Sequence, residues 1–489
     1  MDANIARTYL MAGLNEIEKK QADWTRRENY RKGVQDLPYA PQGVNDEYMA
    51  LREQAIANVL DIAMGAPVQR LRAEGFRTGR KGDADQAAWD EVWQPNKLDA
   101  RQAIVYTEMV THGRGVMSVW PNTKNPKTPY IRVESSRRVH IGMDPEDPFT
   151  PLYAVKTFTV QDVTTNALIL PGGYSGTREV AVVYDSSTWV RFEKGGRTGW
   201  GVWTIVDSGT HPLGAVPFVP FDNKPDGDGV PFPAIVPLMP QQDALNTIRF
   251  NTLLAMQFSA YRQRVFTGYD PVLRDNAGNV IYQKNTDGSF VLDTNGQKKP
   301  ALSSPGRVGV DRALVFPGKD TKVFDLPESN LQNYITVLGD FMTTLFATGQ
   351  IPPQYLLNRL ANLSGDALAA AESTLASLVD DLKRSCGESL EQVMRLANRA
   401  RGENEPDLSS EVIWADAEAR SFAQIVDAIT KLIGQGFPRE GAFEMLPGAT
   451  PQKVSRWMDM VRAEEQDPYL QSLDAKDNPP VPQLPPAGG

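Results

Sequence analysis

Few side chains in this sequence of 489 residues have both the type and the spacing that catalysis requires. It contains three histidines and one cysteine, and His112, His140 and His211 lie far apart along the chain. A zinc site needs several Cys or His ligands at short spacing, and a nucleophilic cysteine needs a neighbouring base. We therefore predict structural roles for the three histidines, a buried core position for Cys386 and no internal disulfide.

Motifs for phosphate or metal binding are also missing. The fragment Pro317-Gly-Lys-Asp320 lacks the upstream glycine and the hydroxyl residue of a P-loop. The sequence motifs of serine hydrolases, zinc proteases and dinucleotide-binding folds do not occur. Asp222, Asp226 and Asp228 depart from calcium-loop spacing, so a solvated acidic turn is the better interpretation. We predict no catalytic residue, no metal site and no cofactor. The alternative is an enzyme built from dispersed carboxylates, such as a metal-dependent DNA hydrolase.

The composition indicates folded domains with an acidic surface. Hydrophobic residues make up 41% of the chain, which can fill several cores. The 51 basic and 60 acidic residues give a net charge of −9, which argues against binding nucleic acid over the whole surface but not against letting it pass. No apolar run reaches the length of a membrane span, and the N-terminal segment lacks a signal-peptide core. These features predict a soluble protein made in a reducing cytoplasm.

Hydrophobic spacing and turn residues divide the first two-thirds of the chain. Residues 1–44 have helical spacing and form a predicted N-terminal arm. Residues 45–235 alternate short strand-like runs with Gly, Pro and Asp around one helical patch, which predicts an α+β domain. Helices are predicted over residues 236–265 and 327–348, the second with unbroken 3-4 spacing of apolar residues. Between them, residues 266–326 carry turn signals at Asn276-Ala-Gly278, Asp287-Gly288 and Asn295-Gly296, which predict a small module of β hairpins.

The last third of the chain contains a long predicted helix. Residues 349–365 form a loop because Gly349-Gln-Ile-Pro-Pro353 must end the preceding helix. The long helix covers residues 366–403, and we expect it to bend at Gly387. A short strand and further helices follow over residues 404–470, and residues 471–489 form a Pro-rich tail that we predict to be disordered. We find no internal repeat.

This order of segments resembles the portal proteins of tailed bacteriophages, particularly the siphophage type. Short motifs at the segment boundaries carry the resemblance: Gln242-Asp-Ala-Leu-Asn246, Gly349-Gln-Ile-Pro-Pro353, Asn362-Leu-Ser-Gly-Asp-Ala-Leu368, Trp414-Ala-Asp416 and Ser421-Phe-Ala-Gln424. Asn29-Tyr-Arg-Lys-Gly33 and Arg70-Leu-Arg-Ala-Glu-Gly-Phe76 fit the actinobacteriophage branch. The resemblance covers about residues 25–465, and the order and spacing of the motifs are more specific than any one of them.

The resemblance implies an α+β portal fold, assembled as a ring that is typically a dodecamer. Residues 45–235 would be an α/β wing, 236–265 and 327–348 a two-helix stem, and 266–326 the clip. Residues 349–365 would be the tunnel loop, 366–403 a long kinked wing helix and 404–470 a helical crown. A capsid-associated scaffold without a central passage is a further alternative.

The resemblance also implies a function without catalysis. The ring would form the channel at one capsid vertex through which double-stranded DNA is packaged and ejected. Its implied partners are the terminase, the major capsid and scaffolding proteins and a head-completion adaptor, with no membrane. The implied location is the portal vertex of the virion, after assembly in the host cytoplasm.

By the same resemblance, the tunnel loop faces DNA with mostly uncharged polar groups: Gln350, Gln354, Asn358, Arg359 and Asn362. Such groups exchange hydrogen bonds with phosphates without trapping them. The alternative is a loop packed on the wing through Ile351, Tyr355 and Leu356.

Two charged segments complete the candidate sites. Glu328 and Asp340 are candidates to line the stem channel, because no base occurs between Pro327 and Gln350; an ordinary solvated face is equally open. In the clip, eight bases and seven acids give a mildly positive segment in a negative chain. We predict that its bases dock an acidic partner or entering DNA, with plain solubility as the alternative: Arg274, Lys284, Lys298, Lys299 and Arg307.

Overall fold

The computed structural model describes residues 1–39, 49–77, 85–161, 177–194, 201–260, 264–267, 272–302, 322–325, 331–352, 365–403, 408–415, 422–446, 448–449 and 451–466. The chain divides into two compact units. The first comprises Met1–Leu37, Ile56–Asn246 and Asp340–Gly489, and the second Pro38–Ala55 and Thr247–Gly339. The predicted tail, residues 471–489, lies outside the described ranges.

The described helices are α1 (Ala3–Lys32), α2 (Leu51–Ala55), α3 (Val59–Arg70), α4 (Leu98–His112), α5 (Met239–Ala260), α6 (Leu331–Thr348), α7 (Gly365–Ala400), α8 (Phe422–Gly434), α9 (Arg439–Glu444) and α10 (Pro451–Gln466). A π-helical segment, Ala88–Trp93, precedes α4. The described strands are β1 (Ala73–Arg77), β2 (Arg114–Trp120), β3 (Tyr130–Glu134), β4 (Val139–Met143), β5 (Pro151–Gln161), β6 (Thr177–Tyr184), β7 (Thr188–Lys194), β8 (Thr204–Thr210), β9 (Phe218–Asp222), β10 (Arg264–Thr267), β11 (Lys322–Asp325) and β12 (Glu411–Trp414).

The first unit contains two larger sheets and one strand pair. Strands β4 to β8 form a five-stranded sheet in chain order, β2 lies between β3 and β9 in a three-stranded sheet, and β1 pairs with β12. Every named strand pair is antiparallel. The α+β class is therefore supported, but the expected α/β wing is wrong, since that class requires parallel strands with helical crossovers.

Helix α1 packs on the five-stranded sheet. Leu10 belongs to a buried cluster with Val155 of β5 and Phe192 of β7. Gly13 allows this approach, because a Cβ added there would lie 2.5 Å from the Val155 Cγ2 atom. Tyr9 also stacks on Tyr153, with ring centroids 4.1 Å apart.

Helix α7 covers the edge of the three-stranded sheet. The Ser385 hydroxyl donates to the carbonyl of Asp222 at 2.9 Å, and the Ser389 hydroxyl donates to that of Pro220 at 2.8 Å. Carbonyl groups on the outer edge of β9 thus accept hydrogen bonds from side chains of this helix. Between the serines, the thiol of Cys386 is fully buried 3.6 Å from the Met109 sulfur, and burial raises its pKa well above the usual range. The predicted core position of Cys386 is confirmed.

The long helix is close to its predicted bounds and continues as a helix through Gly387, where we expected a bend. The expected kink stays a prediction. The acidic turn was interpreted only in part correctly. Asp226 accepts turn N–H bonds from Asp228 and Val230, but Asp222 lies at the end of β9 in an ion pair with Arg114.

The three histidines lie in the first unit, and His112 is buried where α1 meets α4. Its ring stacks on Trp24 at 4.3 Å between centroids, and its Nε2 atom lies 3.5 Å from Glu28. Burial lowers the pKa of His112 to about 4, against the opposing attraction of Glu28. Burial would raise the pKa of Glu28, but hydrogen bonds from Arg31 and Lys32 outweigh it and lower that pKa to about 2.

We predict that His112 makes the folded state less stable as the pH falls. The native state keeps this ring neutral, whereas the unfolded chain takes up a proton near pH 6.5, so stability is lost between about pH 6.5 and about pH 4. The change His112→Phe keeps an aromatic ring on Trp24 and removes the titration. The loss of unfolding free energy from pH 7 to pH 5 should then be about 1–2 kcal/mol smaller than in the wild type, measured by urea unfolding. An unchanged pH dependence would contradict this, and measurements at pH 9 separate any packing effect.

Candidate functional site

Helix α6 ends at Thr348, as the sequence predicted, in a hydrogen-bonded C-terminal motif. The Ile351 N–H donates to the carbonyl of Phe346 at 2.8 Å, and the Gln350 N–H donates to that of Ala347 at 3.2 Å. This is the Schellman arrangement, in which the residue at the Gln350 position adopts a left-handed conformation. Gln350 has φ 55°, although glycine is the residue that adopts this conformation without strain.

The burial of Ile351 and Phe346 anchors this end of the helix. Ile351 is 5% exposed and Phe346 is 3% exposed, and apolar residues at these two positions usually accompany the motif. The start of the proposed tunnel loop is therefore fixed by backbone hydrogen bonds and by burial. The other loop candidates, Gln354, Asn358, Arg359 and Asn362, lie outside the described residues.

Helix α6 carries an apolar stripe that is only partly buried among the described residues. Leu345 and Phe346 are buried at its C-terminal end, but Ile335 is 55% exposed and Phe341 is 39% exposed. Asp340 is exposed on the same helix, and Glu328 lies outside the described residues. The described helix contains no Lys or Arg.

Residues 272–302, the longest described part of the predicted clip, form three β hairpins. Their turns have a shared pattern, in which an Asp or Asn accepts an N–H bond from a glycine three residues later: Asp275 with Gly278, Asn285 with Gly288, and Asp293 with Gly296. All three glycines have positive φ. Turns thus form at all three predicted positions, and we call residues 272–302 the hairpin module.

The hairpin module closes on itself and contains a short repeat. The bridges Arg274–Val280, Lys284–Phe290 and Leu292–Lys298 close the three hairpins, and Val272–Leu302 and Tyr282–Pro300 join their arms. Our finding of no internal repeat was therefore wrong on the scale of one hairpin. The repeat escaped detection because only the turn residues recur.

No residue of the hairpin module is buried. Its large apolar side chains are between 36% and 58% exposed: Leu273, Ile281, Tyr282, Phe290, Leu292 and Leu302. Backbone hydrogen bonds and turn residues give the module its form, and it has no apolar interior. An apolar surface of this kind is typical of a segment that packs against another molecule.

Two of the predicted docking bases lie at an aromatic pair. The rings of Tyr282 and Phe290 meet edge to face at 6.1 Å between centroids. The Lys298 ammonium lies 4.2 Å from the Phe290 centroid, and the Lys284 ammonium lies 5.5 Å from it. The two aromatic residues were not among the predicted site residues, although both flank the predicted turn at Asp287-Gly288.

The remaining charges of the hairpin module are divided between turns and arms. Arg274 donates to the Gly278 carbonyl at 3.3 Å, and Lys299 is exposed. The acids lie at the turns. The Asn279 N–H donates to the carboxylate of Asp275, and the hydroxyl and N–H of Ser289 donate to that of Asp287; these hydrogen bonds lower the pKa values of both acids. Lys284 and Lys298 therefore lie on the hairpin arms, whereas these carboxylates are hydrogen-bonded within the turns. Arg307 lies outside the described residues.

The described part of the chain holds no recognisable metal centre, since no three His, Cys, Asp or Glu side chains are grouped there to bind an ion. None of the helices within the described ranges has the length and apolar character needed to cross a membrane.

Comparison with known proteins identifies the class. The family model "Phage portal protein, SPP1 Gp6-like" matches residues 8–467, so the chain belongs to this family of phage portal proteins. It is 29% identical over 392 residues to the portal protein of Mycobacterium phage D29, covering 76% of this chain and 72% of the relative. The portal protein of Mycobacterium phage L5 is 27% identical over the same lengths. The resemblance found in the sequence is confirmed, and the family is structural, so the hydrolase alternative is not supported.

The strained end of α6 gives a testable prediction. The change Gln350→Gly relieves the left-handed conformation, and we expect it to raise the free energy of unfolding by about 1 kcal/mol. Gln350→Ala is the matched control, because alanine keeps a Cβ and gains nothing. Thermal unfolding measures the difference, and amide hydrogen exchange at Ile351 should slow in the glycine variant alone. Equal stability of the two variants would rule out strain at this position.

Proposed function

We propose that this portal protein assembles into a ring, typically of twelve copies, whose central channel carries double-stranded DNA through one vertex of the capsid. The observation that carries the proposal is the apolar surface of α6 and of the hairpin module, which the described chain does not bury. Family membership supports a virion component that passes DNA.

Ring assembly accounts for the exposed stripe of α6. Burying an apolar side chain is worth about 1.5–3 kcal/mol, and Ile335 and Phe341 obtain only part of that within the chain. In a ring, the same helix of each neighbouring copy buries these side chains, and this holds for every copy around the axis. In this arrangement residues 236–265 and 327–348 are the stem, residues 266–326 the clip, and residues 349–365 the tunnel loop.

The charge of α6 suits a channel that must release DNA. Each Lys or Arg that contacts phosphate adds to affinity through counterion release, and a ring repeats every side chain around its axis. Helix α6 presents the exposed carboxylate of Asp340 and no base. With Glu328 and the uncharged loop residues Gln350, Gln354, Asn358 and Asn362 at the channel, Arg359 is the one base among the proposed channel residues, so passing DNA meets few cations that hold phosphate.

The hairpin module is the proposed docking surface. Its exposed aromatic pair with Lys284 and Lys298 suits an acidic partner, which we assign to the terminase during packaging and to a head-completion adaptor afterwards. Residues 45–235 and 366–403 form the wing and residues 404–470 the crown, next to capsid and scaffolding proteins. Assembly takes place in the host cytoplasm.

The stripe of α6 provides the test of assembly. We expect Ile335→Asp to abolish the ring, because each interface would have to bury an unpaired carboxylate. Asn333→Asp adds the same charge at another exposed position of the helix and should leave the ring intact. Light scattering gives the mass, and electron micrographs viewed down the axis show whether a central channel exists. A monomeric wild-type protein, or rings from both variants, would contradict the proposal.

A second test concerns the channel charge. Asp340→Lys would place a collar of cations around the bore, so rings of this variant should retain duplex DNA at low salt and release it as salt rises. Glu18→Lys makes the same charge change on an exposed position of α1 and serves as the control. Retention is measured by co-sedimentation over a salt series. Equal retention by the two variants would place Asp340 away from the channel.

A further inference from the structure

A groove on the first unit runs along α1 and has a volume of about 600 Å³. Thr25 and Asn29, one helical turn apart, line it together with Arg26. Arg137, from the turn between β3 and β4, and Gln35, from the segment after α1, also line the groove. Neither the channel nor the hairpin module uses these residues.

Both arginines of the groove are held in place by neutral partners. The Arg137 Nε–H donates to Gln21 at 2.7 Å, the Gln21 amide donates back to the Arg137 carbonyl at 2.9 Å, and the guanidinium lies 5.4 Å from the Trp24 ring centroid. The Arg26 guanidinium lies 5.8 Å from the ring centroid of Tyr30. Within the described ranges neither forms an ion pair. Both guanidinium groups are therefore held in position and retain N–H groups that can donate to carboxylates.

Gln35 supplies a second, independent indication. Its side chain is 6% exposed, and both polar atoms of its amide lack a hydrogen-bond partner among the described residues. A buried amide in this state is costly, and it needs one donor and one acceptor to be satisfied. A peptide group offers both, whereas a phosphate offers acceptors alone.

We propose that this groove binds an acidic segment of another polypeptide, with carboxylates on Arg26 and Arg137 and a backbone peptide group on Gln35. Two cations are too few for a phosphate backbone, and a phosphate offers no donor to the amide oxygen of Gln35. The amide of Asn29 and the hydroxyl of Thr25 can likewise exchange hydrogen bonds with a peptide. The inference does not depend on the proposed channel.

Fluorescence anisotropy on the full chain tests the inference, with a short labelled peptide rich in glutamate as the probe. The matched peptide has glutamine at every glutamate position, and a labelled duplex DNA is the third probe. We expect the acidic peptide to bind in preference to both. The double change Arg26→Ala with Arg137→Ala should weaken its binding about tenfold or more, while Arg7→Ala, also on α1, should not. Preference for the DNA, equal binding of the two peptides, or no effect of the double change overturns the inference.

Gln35→Met separates recognition from folding. Replacing an unsatisfied amide by an apolar side chain of similar size should raise the midpoint of thermal unfolding and also weaken peptide binding severalfold. A merely structural glutamine would change the midpoint without changing the affinity, and that result overturns its assigned role. If the arginine changes lower the mass of the assembly while peptide binding persists, the groove is an interface between copies, which also overturns the inference.

Discussion

Burial of one face of α7 is the interaction on which the first unit depends. Its apolar residues repeat at helical spacing, and Leu375, Val379, Leu382, Cys386, Leu390 and Val393 are all buried. The same face brings Ser385 and Ser389 to the open carbonyls of β9. A single helix therefore contributes apolar burial and also donates hydrogen bonds to carbonyl groups at the sheet edge. Strand β12, which follows this helix, pairs with β1.

The hairpin module in the second unit follows a different principle. Its turns are specified by Asp, Asn and Gly at fixed spacing, so local hydrogen bonds define its form without any buried residue. An element of this kind can present apolar and cationic side chains to partners, because it does not need them for its own interior. The proposed docking role depends on this contrast between a packed unit and an exposed module.

Much of the secondary structure could be predicted, because helices with strong 3-4 spacing and turns with glycine are locally encoded. The long helix and the three hairpin turns illustrate this. The bounds of short strands such as β4 and β8 were not predicted, since these strands depend on pairing with other strands. Of the candidate site residues, Lys284 and Lys298 lie together at an aromatic pair that sequence analysis missed. The channel and docking roles of all these residues remain predictions.

The sequence by itself determined the presence of the long helices, the turns, the lack of catalytic motifs and the family, because each depends on residue identity at short spacing. Only the tertiary structure decided that Asp222 pairs with Arg114, that Cys386 meets Met109 and that the Gln35 amide has no hydrogen-bond partner among the described residues. These outcomes join residues far apart in the chain or depend on what surrounds a side chain. Spacing along a sequence does not define which distant groups meet. Packing defines it, because the partners available to a buried side chain are the groups that the fold places around it.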